Sequence, residues 1–281
     1  MRPIQDSDGL RGCDLMDLQE LQKQFLEIMA TSRSENTLKA YKADLDAFGF
    51  KSAITPMEVN KKVSKWLASD ISRATIKRRY FSLVKFLKRM HRNFDPADIQ
   101  DIINDAGDFK APPSPPARYP TIEDFKRIIA RTDAQTAYIM GLMFYTSLRI
   151  GDVVRLTEDN FTERDGIQVI EIQTKKTCQY TTIPVIDKLN GLQSKYGAYA
   201  VGVGVRCAEK KVKVACEDAG YDGMTCHSFR HGFSSALHNN KVPDYLIEYM
   251  MSHTDHGVAD RYMHISPVIL KEELDRVFME G

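Results

Sequence analysis

The densest chemical potential in the chain lies in one short run, Cys226-His227-Ser228-Phe229-Arg230-His231-Gly232-Phe233. On a helix His227 and Arg230, three positions apart, share a face, while Phe229, Phe233 and Leu237 form an opposite apolar stripe. A core-seeking stripe on one side leaves the His and Arg side for solvent or ligand. Arginine offers a rigid fork of donors that fits phosphate in bidentate fashion, and a neighbouring histidine can hold or move a proton. A metal site is the rival reading, because His227 and His231 stand at i and i+4 beside Cys226. That pattern lacks the glutamate of the zinc-protease helix, and no third ligand is spaced nearby.

Three further segments carry groups of the same kind. Tyr145-Thr-Ser-Leu-Arg149-Ile-Gly-Asp152 closes an apolar run on an arginine, which by itself reads as a helix-end cap. Gln173-Thr-Lys-Lys176-Thr-Cys-Gln-Tyr-Thr-Thr-Ile-Pro184 places Lys175 and Lys176 at a turn, where lysine is usually solvated decoration. Tyr249-Met-Met-Ser-His253-Thr-Asp-His-Gly-Val-Ala-Asp-Arg-Tyr262 sets a tyrosine nine positions after a histidine; among twelve tyrosines, any one is ordinarily a packing residue.

In their order and spacing the four segments resemble the tyrosine site-specific recombinases of the phage-integrase kind. The match runs from about Pro120 to the C-terminus, and more loosely through Ser34-Glu-Asn-Thr-Leu-Lys-Ala-Tyr41, similar to the family's DNA-clamping helices. Two departures stand out: Asp152 where the family more often has Glu, and Met251-Ser252 where it commonly has Leu-Gly before the histidine. The resemblance implies a catalytic set of Arg149, Lys176, His227, Arg230, His253 and Tyr262, with the register from Pro184 selecting Lys176 over Lys175. Arg149 and Arg230 would grip the nonbridging oxygens of a DNA phosphate, with His253 adding a bond. Tyr262 would attack, His227 would serve as base or orienter, and Lys176 would protonate the departing 5′ oxygen. The implied product is a 3′-phosphotyrosyl DNA that a partner strand can reverse without metal, nucleotide or other cofactor. Double-stranded DNA and a homotetramer on paired sites are the implied partners, with the amphipathic tail at 267–278 as a means of docking on a neighbour. That tail and the basic N-terminal region favour a recombinase over a type IB topoisomerase. A DNA-binding protein without catalysis is the alternative of a different class.

The elements that must position these groups are legible in outline. The fold class expected is mainly α: an all-α N-terminal core-binding domain, then a mixed α+β, mostly helical catalytic domain with a small antiparallel sheet. Five of the eleven prolines fall in residues 111–120, a stretch that favours extended, semi-rigid geometry. The expected divisions are a flexible N-terminus at 1–14, a helical DNA-binding domain at 15–110, the Pro-rich linker at 111–120 and a catalytic domain at 121–281. Thr121 reads as an N-cap, with Glu123 and Asp124 in the first turn. Before the linker the apolar spacing is helical throughout, for four or five helices. After it, 138–145 reads as a buried helix, 168–173 and 180–184 as strands, and helices resume from about Val205.

Composition sets the outer limits. The 281 residues are 43% hydrophobic and lack both an apolar run of membrane-spanning length and a signal-like start, so a cytoplasmic, DNA-associated protein is expected. Five cysteines without a C-x-x-C pair read as reduced thiols, and no glycine-rich phosphate loop supports nucleotide chemistry. Net charge is only +1, yet between Ser32 and Arg92 fifteen Lys/Arg face five Asp/Glu. The segment 72–92 holds eight Lys/Arg and no acid. Ile76, either Tyr80 or Phe81, Val84 and Leu87 are expected to face its core, and Arg73, Lys77, Arg78, Lys85, Lys88 and Arg89 to face DNA phosphates.

Overall fold

The computed structural model describes residues 18–50, 54–108, 118–174, 180–251 and 265–279. Its internal contacts divide the chain into two compact units, Met1–Ser114 and Pro115–Gly281. The expected N-terminal stretch at 1–14 and most of the expected linker lie outside the described residues.

In the first unit, α1 (Leu18–Ala30), α2 (Glu35–Phe48), α3 (Pro56–Leu67), α4 (Arg73–Arg89) and α5 (Pro96–Asp108) follow one another. Their starts are set by hydroxyl caps. Ser34 accepts from the Thr37 N–H, Thr55 from that of Glu58, and Ser72 from that of Thr75, each satisfying a donor the helix itself leaves orphaned. Gly49 ends α2 in the left-handed region at φ 62°, which its missing Cβ permits. Phe25 meets Phe86 edge-on at 5.4 Å between centroids, and Phe48 meets Trp66 at 4.8 Å. On α4 the core takes Ile76, Tyr80, Leu83, Val84, Phe86 and Leu87. The choice between Tyr80 and Phe81 falls to Tyr80, and Phe81 is half exposed.

The second unit is built around α7 (Ala134–Thr146), in which every residue from Thr136 to Thr146 is buried. Such a helix is apolar all round because neighbours cover it on every side. It is preceded by α6 (Ile122–Ile129), where Thr121 and Asp124 cap one another reciprocally. The 3-stranded sheet has the order β1 (Phe161–Arg164), β2 (Ile167–Gln173), β3 (Tyr180–Pro184), antiparallel throughout. Gln173 pairs with Tyr180 at the end of the β2–β3 ladder. After α9 (Asp187–Tyr196) come α10 (Val205–Asp218), α11 (Cys226–Asn239), α12 (Asp244–Met251) and α13 (Pro267–Phe278). The mainly helical class with a small antiparallel sheet is therefore as the sequence reading has it. No helix among the described residues is long and apolar enough to cross a membrane.

The C-terminal helix requires a correction. Its apolar stripe, Leu270, Leu274, Val277 and Phe278, is buried within its own unit. Phe278 meets Phe144 at 5.6 Å, Tyr145 at 5.3 Å and Phe233 at 6.0 Å. A stripe used inside the core is not free to dock on a neighbour, so the tail no longer favours a recombinase over a topoisomerase.

Candidate active site and basic groove

The site is assembled where α7 ends. Ser147, buried, turns the chain through the left-handed region at φ 57°, and its hydroxyl donates to the Met250 carbonyl at 2.8 Å. A non-glycine residue at positive φ costs energy and persists only when its surroundings hold it. Leu148 is buried just beyond, and Arg149 then leads into α8 (Ile150–Val153), its carbonyl accepting from the N–H groups of Asp152 at 2.7 Å and Val153 at 2.9 Å. Arg149 is thus presented, half-buried, by a turn anchored on both sides.

Arg230 reaches the same turn from α11. Its Nη1 donates to the Ser147 carbonyl and, at 3.3 Å, to the Ser147 hydroxyl, while Nη2 donates to the Met251 carbonyl. The sequence reading left the His227 and Arg230 side of this helix to solvent or ligand; the structure divides it. His227 is exposed, whereas Arg230 is only 4% exposed, because the α7 turn and the end of α12 close over it. Burial first, and then the nearby Arg149, push the Arg230 guanidinium down to about 10, with Asp152 acting in the opposite direction. A buried cation within electrostatic reach of a second, half-buried one forms a site that gains from an anion.

Asp152 is buried and ion-paired to Arg155 at 2.7 Å. Arg155 also donates from Nη2 to the Gln173 carbonyl at 3.0 Å and from Nε to the Gly151 carbonyl at 3.2 Å. It thereby ties the Arg149 turn to the end of β2. Sequence reading did not single out Arg155; its i, i+3 spacing from Asp152 was the available signal. His227 meets His231 edge-on at 4.6 Å, and burial pushes the adjacent Cys226 thiol up to about 12. Gly232 was also missed. A Cβ there would lie 2.6 Å from the Pro120 carbonyl oxygen and 2.9 Å from Phe144 Cε2, so glycine is what lets α11 close on α7. A glycine inside an otherwise helical pattern was the clue.

Lys176, His253 and Tyr262 lie outside the described residues; in sequence β2 and β3 flank the first, and α12 and α13 the other two. Arg149 immediately precedes α8, and His227 and Arg230 lie on α11; of these, the structure brings Arg149 and Arg230 within electrostatic reach of one another.

In the first unit the basic residues of α4 separate by environment. Arg78, Lys85, Lys88 and Arg89 line a groove of about 890 Å³ shared with residues of α1 and α2. Arg73 and Lys77 are outside that lining; Arg73 is exposed, and the Lys77 ammonium lies 5.8 Å from the Phe81 ring centre. Lys85 stands 5.8 Å from the Tyr41 ring centre. Arg79, outside the expected set, lies 4.8 Å over the Trp66 ring.

Residues 204–267, the stretch holding α10, α11 and α12, match the phage integrase family. The chain is similar to a solved lambda integrase dimer bound to a COC′ core site, with a TM-score of 0.69 at 16% identity, covering 85% of this chain and 96% of that one. Its fold is that of the tyrosine recombinases. The same recombinase fold is found in a lambda integrase tetramer bound to a Holliday junction, with a TM-score of 0.67 at 16% identity over 86% of this chain and 79% of that one. It is found again in the XerH site-specific recombinase in a post-cleavage complex with a palindromic difH substrate, with a TM-score of 0.62 at 15% identity over 92% and 85%. No curated protein sequence matches the chain.

Proposed function

We propose that this chain is a site-specific DNA recombinase that cleaves and rejoins strands through a 3′-phosphotyrosyl intermediate, with neither metal nor nucleotide. The observation that carries the reading is the buried Arg230 beside Arg149, two cations with the buried carboxylate of Asp152 near them. A phosphodiester resists attack because it is anionic, and a site of this kind neutralises the charge that grows in the pentacoordinate transition state. In the proposed step the Tyr262 oxygen forms a bond to phosphorus as the bond to the 5′ oxygen breaks. The phenolic proton passes to His227, and the leaving oxygen takes a proton from Lys176. His253 donates to a nonbridging oxygen alongside the two arginines. One phosphoester replaces another, so a free 5′ hydroxyl of a partner strand reverses the step.

The basic groove of the first unit supplies the phosphate contacts that hold the duplex. Assembly as a tetramer on paired sites, for integration and excision or for dimer resolution, is supported by the fold shared with the junction-bound lambda integrase tetramer. A nicked suicide duplex spanning the recombination site tests the chemistry. The wild-type chain is expected to become covalently attached in EDTA, and Tyr262→Phe to bind the duplex without attachment. An adduct peptide carrying another tyrosine, or attachment that requires Mg²⁺, overturns the proposal.

A further inference from the structure

The cations of the α4 groove differ in how they are held. Arg78 donates from Nη2 to Asp44 Oδ1 at 2.7 Å, and the Ser82 hydroxyl donates to the other carboxylate oxygen at 2.9 Å. Asp44 is 1% exposed, whereas the Arg78 side chain is 58% exposed. Among the described residues, Lys88 and Arg89 in the same groove have no carboxylate partner. Burying a carboxylate is costly unless it is paired and fully bonded, so this pair is a considerable investment in fixing one guanidinium.

The pair suits one ligand better than another. A phosphate rewards net charge, and a flexible, unpaired lysine or arginine provides that without any orientation. Asp44 cancels much of the charge of Arg78 and gives it orientation instead. Five N–H donors in a rigid fork, one engaged by Asp44, leave an oriented donor set whose natural match is a neutral pair of acceptors. The O6 and N7 atoms of guanine present that pair in the major groove, which admits an α-helix.

We propose that Arg78 reads a guanine of the target DNA in the major groove, with Asp44 as its positioning residue. The inference rests on the DNA-binding part of the proposed function and names a specificity determinant within it. The probe is a set of 30-base-pair duplexes enriched from a random pool by the wild-type chain, with each guanine replaced in turn by 7-deazaguanine, which lacks the N7 acceptor. At one position the replacement is expected to weaken wild-type binding by about five- to hundredfold, the range for a bidentate base contact. The same replacement should leave Arg78→Ala unaffected. Arg78→Lys, which keeps the charge and loses the fork, should behave like Arg78→Ala; it serves in its place if the alanine variant does not fold. Asp44→Asn should keep affinity for unselected DNA while losing discrimination at that position. Salt-dependent wild-type binding with no such guanine overturns the inference and leaves the DNA-binding reading standing. Failure of the wild type to enrich any duplex overturns both, and full discrimination by Asp44→Asn overturns the positioning role.

Discussion

The two arginines of the candidate site are the same residue type doing different amounts of structural work. Arg149 is half-buried at a turn whose own backbone bonds hold it, so Arg149→Ala should change unfolding free energy by no more than about 0.5 kcal/mol. Arg230 spans the carbonyls of Ser147 and Met251, and a single ammonium cannot reach both. Arg230→Lys should therefore leave a buried acceptor unmet and cost about 1–3 kcal/mol. Both substitutions should slow adduct formation on the suicide duplex by about 10²- to 10³-fold, the scale for loss of one transition-state donor. Denaturant unfolding beside single-turnover cleavage checks this, and equal destabilisation by the two variants would contradict it. The contrast was not legible in the sequence. Spacing put His227 and Arg230 on one face, but the depth of each depends on the α7 turn and α12, elements remote in sequence.

Elements with strong local signals were readable, and those without were not. The all-apolar α7, the Thr121 cap and the Ile-Pro end of β3 stand out in the sequence because composition and position say the same thing. In α9 only Leu189 and Leu192 are buried, Gly191 interrupts the pattern, and Ile186 gives no side-chain cap, so its existence is decided by packing on α7. β1 has four residues and none buried, which leaves no alternation to detect. Helical glycines provide a test at this scale, because Ala for Gly ordinarily gains about 1 kcal/mol in a helix. Gly191→Ala, with nothing within 4 Å of the new methyl group, should realise that gain. Gly232→Ala meets the Pro120 backbone and should instead lose about 1–3 kcal/mol, since a carbonyl cannot step aside as a side-chain tip can. Unfolding midpoints of the two variants that shift in the same direction would refute this account.

For the molecule as a whole, burial in the second unit sets a response to alkali. The Cys216 thiol is pushed up to about 11 and that of Cys226 to about 12, chiefly by burial, from an ordinary value of 9. Above about pH 9 the unfolded chain sheds these protons while the folded chain keeps them, so stability falls as pH rises. Tyr138 and Tyr145, also raised by burial, act in the same direction from about pH 10. Arg230, lowered from 12.5 to about 10, opposes them only above its folded value. The urea midpoint should therefore drop between pH 8 and pH 10, and Cys226→Ala should lessen the drop; a flat profile over that range would be incompatible with these buried thiols. The donors of Arg230 reach carbonyls 83 and 21 positions away in sequence, so its place beside Arg149 exists only after three separate stretches of chain have met. The basic groove of the first unit requires none of those encounters. Under the proposed chemistry, a newly made chain gains its hold on the genome before it gains its blade, and an immature copy is a harmless passenger on DNA.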